Sequence, residues 1–150
     1  MKTTDDFIIQ VSVYLENKIG SLKKVSAILR DNNIDIRTLS LAESVDYGVL
    51  RMIVDKPEET VDLLAINNIQ ARTTEVIAVE VKDRPGGMDR ILDVFLRHEI
   101  NVEYLYATVE KKEDRAVIIF KVDNYKEALK ILKANNVNVA KKLNILKEDI

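Results

Sequence analysis

The strongest constraint on this chain is that most of it is written twice. At an offset of 66 residues, Gly20 meets Gly86, Leu22 meets Met88, Ile34 meets Ile100, Ile36 meets Val102 and Leu39 meets Leu105. Further on, at an offset of 68, Asp46, Val49, Val54, Leu64 and the pair Asn67 and Asn68 meet Asp114, Val117, Val122, Leu132 and the pair Asn135 and Asn136. The two extra residues fit a longer hairpin turn at Glu110, Lys111, Lys112 and Glu113. Two diverged copies of one supersecondary unit, residues 1–74 and 75–150, account for nearly the whole chain.

Each copy reads as the same series of elements. Residues 7–15 alternate so that Ile9, Val11, Val13 and Leu15 fall on one face and Gln10, Ser12 and Tyr14 on the other, which predicts a half-buried strand. Ser21 is placed to cap a helix in which Leu22, Val25, Ile28 and Leu29 recur at helical spacing, and Asn32 and Asn33 end it. Residues 36–43 and 48–54 predict the two strands of a hairpin across a polar, glycine-containing turn. Lys56, Pro57, Glu58 and Glu59 open a second helix, with proline in the first turn and carboxylates at its positive end. Val61, Leu64 and Ala65 are expected to face the core. A final strand follows near residues 70–75, and near 139–146 in the second copy.

This order, βαββαβ, is the ferredoxin-like split βαβ arrangement, and right-handed crossovers put both helices on the same side of the sheet. The predicted fold class is α+β: two tandem ferredoxin-like βαββαβ units, each a four-stranded antiparallel sheet with two helices on one face. No Gly/Pro/Ser linker separates the copies, since residues 70–75 run directly into residues 76–81, apolar but for Glu80. A unit of this length buries only ~60% of its extended surface, so intimate packing of the copies in a fixed relation is expected.

Charge and composition narrow the function classes. With 23 Lys and Arg against 25 Asp and Glu, the net charge of -2 supplies no field to draw the chain onto nucleic acid or an anionic membrane. Some RNA-binding domains share this element order, but they stack bases on aromatic residues of the central strands. Residues 48–54 and 116–122 hold at most one aromatic each, and Lys111, Lys112, Lys141 and Lys142 read as solvated turns and edges. No cysteine is present to form disulfides or thiolate ligands. No apolar run approaches the ~20 residues a bilayer demands, and the polar start has no signal-peptide character, so a cytoplasmic location is expected.

Catalysis finds no support either. The single histidine, His98, sits near a helix end three residues after the core-facing Phe95, where a structural role is expected. No metalloprotease, nucleophile-elbow or Walker-type motif occurs, and no Asp/Glu cluster has metal-ligand spacing. The chain reads as a non-enzyme with no cofactor and no metal.

What remains are two strand-to-helix turns: Asn17, Lys18, Ile19, Gly20, Ser21 and Leu22, and Asp83, Arg84, Pro85, Gly86, Gly87 and Met88. A glycine there either makes a tight turn and nothing more, or lets a ligand carboxylate approach the backbone at a positive helix start. The second run, followed by a helix and then Ile100, Asn101 and Val102, strongly resembles the ACT domain, a small amino-acid-sensing regulatory module. The first, with Ile34, Asp35 and Ile36, is a weaker copy, departing at Ile19 where the family usually has proline.

The resemblance implies ligand binding where the first turn of one domain meets the second strand of its neighbour. Residue by residue, the polar turn position falls on Asn17 and Asp83, and the position entering the second strand on Asp35 and Asn101. One expected site combines Asn17 with Asn101, whose amides suit both ends of an amino acid. The other combines Asp83 with Asp35, which together repel a carboxylate. The first is the favoured site.

The resemblance further implies a non-enzymatic amino-acid-binding regulator that signals through a protein partner or self-association, as a homodimer or with a metabolic enzyme. The alternative is a regulatory or structural subunit of a biosynthetic enzyme with degenerate ligand sites. In the second copy Tyr104 and Tyr106 alternate with Leu105 and Ala107, and Val117 and Ile119 with Ile118 and Phe120, so both sheet faces are apolar. Packing between the copies is one reading of that pattern, and a homodimer or enzyme-docking surface the other.

Overall fold

The computed structural model describes residues 6–109 and 114–140. Its elements are β1 (Ile8–Glu16), α1 (Ser21–Asp31), β2 (Ile36–Glu43), β3 (Tyr47–Val54), α2 (Pro57–Ile66), β4 (Ala71–Lys82), α3 (Gly87–Arg97), β5 (Val102–Val109), β6 (Arg115–Val122) and α4 (Tyr125–Ala134). The class is α+β, but the expected pair of four-stranded sheets is replaced by one six-stranded order, β2-β3-β1-β4-β6-β5. The cause is β4, a continuous strand of 12 residues that contains both the last strand expected of the first copy and the first strand of the second. Of the strand expected at 139–146, Val139 makes an isolated antiparallel bridge to Val79. Residues 141–146, like the turn expected at 110–113, lie outside the described residues.

Packing divides the chain into two compact units. Ile9–Thr74 forms one, and the remaining described residues form the other. In the first, Val11, Val13 and Leu15 of β1 and Leu50, Met52 and Val54 of β3 bury against Val25 and Leu29 of α1 and Leu64 of α2. In the second, Ile77, Val79, Ile118 and Phe120 bury against Ile91, Val94 and Phe95 of α3 and Ala128, Leu129 and Leu132 of α4. Phe95 meets Phe120 edge-on at 5.3 Å between ring centroids, a favourable quadrupole geometry. Residues 6–8 gather with this second unit: Phe7 packs on its core and lies 5.3 Å from the Tyr125 ring, and Lys133 pairs with Asp6 at 2.6 Å.

Two expectations about facing are corrected. Strand β1 is not half-buried, because Gln10 (0% exposed) and Ser12 (4%) are covered as fully as its apolar residues. They tolerate burial because the Gln10 amide donates to Ser12 Oγ at 2.9 Å, satisfying polar groups away from water. On α2, Ala65 is exposed, and Pro57, Thr60 and Leu64 form the buried stripe instead. Thr60 fits there because its hydroxyl donates to the Lys56 carbonyl at 2.7 Å. In the second unit Val117 and Ile119 are buried on the sheet side opposite Ile118 and Phe120, whereas Leu105 and Ala107 on the edge strand β5 are exposed.

All four helices end in the same way. The residue two past the helix is left-handed: Asn33 (φ 56°), Asn68 (60°), Glu99 (57°) and Asn136 (57°). Its N–H donates to the third carbonyl back, as from Asn33 to Arg30 at 3.2 Å. The next N–H reaches five back, as from Ile34 to Leu29 at 2.9 Å, and the same two bonds recur after each helix. These are Schellman motifs, and they return the chain to the sheet at a fixed angle. Asparagine bears a left-handed backbone better than other non-glycine residues, so Glu99 is the strained member. Glu99→Gly is expected to raise stability by about 0.5–1 kcal/mol in urea denaturation, the left-handed penalty removed outweighing the added chain entropy.

Candidate functional site: two glycine turns and their cavities

The two turns are built by the same backbone bonds. Past β1, the N–H of Asn17 donates to the Asp46 carbonyl at 2.9 Å, Lys18 to Glu16 at 2.9 Å, and Ser21 to Lys18 at 3.3 Å. Past β4, Asp83 donates to Asp114 at 2.6 Å, Arg84 to Lys82 at 2.8 Å, and Gly87 to Arg84 at 3.1 Å. Gly20 (φ 90°) and Gly86 (φ 88°) occupy the left-handed position that caps the following helix. The expected cap from Ser21 is absent: Ser21 is the first helical residue and α1 has no side-chain cap. The first amide of each helix is engaged inside the turn, so the helix start offers fewer N–H groups to a ligand than glycine content alone suggests.

The copies differ in what the second glycine position requires. A Cβ on Gly86 or Gly20 would meet nothing, and only their backbone angle demands glycine. At Gly87 a Cβ would collide with the Lys82 carbonyl oxygen, so helix α3 lies tight against the end of β4, while Ser21 stands at the equivalent place in the first unit.

Most of the expected site residues are exposed: Asn17, Lys18, Ile19, Gly20 and Leu22 in the first turn, Asp83, Arg84, Pro85, Gly86 and Met88 in the second. Ser21 and Gly87 are half-buried. Asn17 is oriented by its own unit, its amide nitrogen donating to the Ser44 and Val45 carbonyls at 3.3 and 3.2 Å. Two carbonyl acceptors fix which way the amide points, and the Asn17 oxygen is left as an acceptor.

At the second-strand positions, Asp35 and Asn101 precede β2 and β5 in matching brackets. The Asp35 N–H donates to the Asp55 carboxylate at 2.9 Å and Asn101 N–H to Asp123 at 3.3 Å. The return bonds, Asp55 to Asp35 and Asp123 to Asn101, are both 3.2 Å. Just beyond, both strands carry the same irregularity, between Ile36 and Thr38 and between Val102 and Tyr104. The Asp35 carboxylate pairs with Arg37 at 2.9 Å, so it is less repulsive to an anion than its type suggests.

Each turn also borders a cavity within its own unit. In the first unit it is about 460 Å³, lined by Lys18, Gly20, Lys24, Tyr47, Asn68 and Gln70 among others. In the second it is about 370 Å³, lined by Arg84, Gly86, Arg90, Arg115, Asn136 and Asn138 among others. Sequence reasoning pointed to the turns but missed Arg90, Arg115 and Asn138. The signal available was the repeat itself, which sets Arg84 on Lys18 and Arg90 on Lys24. His98 stands at the end of α3, where its Nδ1 lies 2.9 Å from the Val94 carbonyl and helps satisfy the helix terminus. Among the described residues no group of three or more His, Cys, Asp or Glu could hold a metal, and no helix is long and apolar enough to cross a membrane.

Against known proteins, the family model described as an ACT domain pair matches residues 6–149. No curated protein sequence matches the chain. Among solved structures, protein BT0572 from Bacteroides thetaiotaomicron is similar at 26% identity and a TM-score of 0.90, covering 96% of this chain and 99% of that one. The ligand-free regulatory subunit of aspartate kinase from Thermus thermophilus shares the fold at 14% identity and a TM-score of 0.63, covering 89% and 95%. That of Thermus flavus does so at 12% identity and 0.58, covering 87% and 92%.

The geometry of the turns yields a prediction of its own. Gly87→Ala is expected to cost about 1–3 kcal/mol because backbone must shift to admit the methyl group. Gly86→Ala is expected to cost about 1–2 kcal/mol through its left-handed φ alone. Ser21→Ala is expected to stay within about 0.5 kcal/mol, since no cap is lost. Chemical denaturation of the three variants checks the order.

Proposed function

Given that the chain belongs to the ACT domain pair family, we propose that it is a non-enzymatic regulatory protein that senses a small amino acid and signals through a protein partner or through its own association. The observation that carries this reading is the duplicated turn, a left-handed glycine opening a helix, with a polar residue on the turn and another bracketed at the start of the second strand. The ligand site of the proposal pairs Asn17 with Asn101, and a weaker or altered one pairs Asp83 with Asp35.

The orientation of Asn17 sharpens the division of labour. With its amide nitrogen held by the Ser44 and Val45 carbonyls, its oxygen is the group for the ligand ammonium, which leaves the Asn101 amide to donate to the carboxylate. Signalling then requires that the ligand bind two states of the protein, or of its assembly, with different affinity.

A second reading, a subunit that regulates a biosynthetic enzyme by contact alone, is supported by the apolar edge strand β2. Leu39 (51% exposed) and Leu41 (50%) stand there in the open, on a strand hydrogen-bonded to β3 on one side. The regulatory subunits of aspartate kinase from Thermus thermophilus and Thermus flavus share the fold.

A thermal-shift screen of the twenty amino acids separates the readings, because a ligand of the folded state raises its melting temperature. The sensor predicts a response to one or a few, with a dissociation constant of roughly micromolar to sub-millimolar for so small a ligand. Asn17→Ala and Asn101→Ala are each expected to weaken it by about tenfold in calorimetry, the value of one good hydrogen bond to a charged group. No response to any amino acid favours the contact regulator. Loss on mutating Asp83 and Asp35 alone would move the site.

A further inference from the structure

The cavity of the second unit has a charge that amino-acid sensing does not explain. Lys82, Arg84, Arg90 and Arg115 line it against one carboxylate, Glu80, which lies 3.4 Å from Arg115. At the matching positions in the first unit stand Glu16, Lys18, Lys24 and Tyr47, with Tyr14 in place of Glu80. There two cations face one carboxylate, and Glu16 pairs with Lys18 at 3.2 Å. Backbone, helix start and asparagine corner are shared, and the charge is not. Only one of the two cavities concentrates cations.

Four exposed cations around one concavity, one of them paired with Glu80, leave it with a net positive field that favours an anion. An amino-acid zwitterion is a poor candidate, since its ammonium would be repelled by the same field. Arginine forks match the paired oxygens of carboxylate and phosphate groups, and the Arg90 guanidinium is steadied by donating to the Asn135 carbonyl at 3.4 Å. The volume of about 370 Å³ suits a small metabolite. We infer that the second unit binds an oxyanion of two or more negative charges, a phosphate ester or a dicarboxylate, in a cavity lying wholly within that unit. This site goes beyond the amino-acid reading, takes a different ligand class, and needs neither Asn17 nor Asn101.

The test titrates the intact protein, without amino acids, with inorganic phosphate, pyrophosphate and succinate. Amide resonances and the melting temperature are followed, with potassium chloride at matched ionic strength as the reference. Saturable shifts at Gly86, Gly87 and Asn136 are expected, beyond those from chloride, and a double variant R84Q/R90Q is expected to weaken binding at least tenfold while K24Q leaves it unchanged. A response to the phosphate compounds assigns a phosphate ester, and a response to succinate alone a dicarboxylate. Shifts equal to those of chloride, or untouched by R84Q/R90Q, or centred on Gly20 would overturn the inference. Because the Asn17 and Asn101 variants should bind these anions normally, its failure is distinguishable from failure of the amino-acid site.

Discussion

One backbone hydrogen bond per copy holds the glycine turn of each unit in place: Asn17 N–H to the Asp46 carbonyl, and Asp83 N–H to the Asp114 carbonyl. Each extends an antiparallel ladder one step past its last strand pair, Glu16 with Tyr47 and Lys82 with Arg115. The turn that launches the helix is thereby anchored to the hairpin opposite, and only then does the chain reverse through a left-handed glycine. A buried or tightly bonded backbone leaves few alternatives for the next residues. The position of the turn side chains is inherited from this ladder, not from the side chains themselves.

The other end of each helix is fixed with similar economy. The Schellman bonds bring Ile34, Ile69, Ile100 and Val137 back under the third-from-last helical residue, so the chain re-enters the sheet at a set height. For α1 and α3 this delivers Asp35 and Asn101 directly to the carboxylates of Asp55 and Asp123. Turn, helix and bracket thus form one rigid path from the first polar position to the second, repeated at 66 residues' distance although most side chains along it differ.

That repetition explains what was legible in the sequence. Helix and strand identities followed from periodicity, and the glycines and asparagines that set backbone angles stood out because two copies agreed on them. Burial was less legible: Gln10, Ser12 and Thr60 are polar residues inside, made tolerable by bonds to neighbours that alternation rules cannot see. The same limit hid the Asn17 orientation, which depends on two carbonyls 27 and 28 residues away, and the second-unit cavity, whose cations come from β4, the turn, α3 and β6. Properties of a single element were readable, and properties requiring several elements to converge were not.

The copies diverge in charge more than in backbone. A duplicated backbone lets one copy keep a turn while the other changes the charge beside it, because the ladder bond and the left-handed glycine make no use of the flanking side chains. Arg115 against Tyr47, Lys82 against Glu16 and Glu80 against Tyr14 alter the field of a cavity without touching the bonds that shape it. The tightening at Gly87 has the opposite character, since it brings α3 against the Lys82 carbonyl at the cavity rim, where a serine in the first copy leaves the packing looser. A cavity with more cations and a closer-set helix start favours a smaller, more highly charged ligand than its twin. Two chemically unlike cavities on one repeated scaffold are what the proposed regulator needs if it is to weigh one metabolite against another.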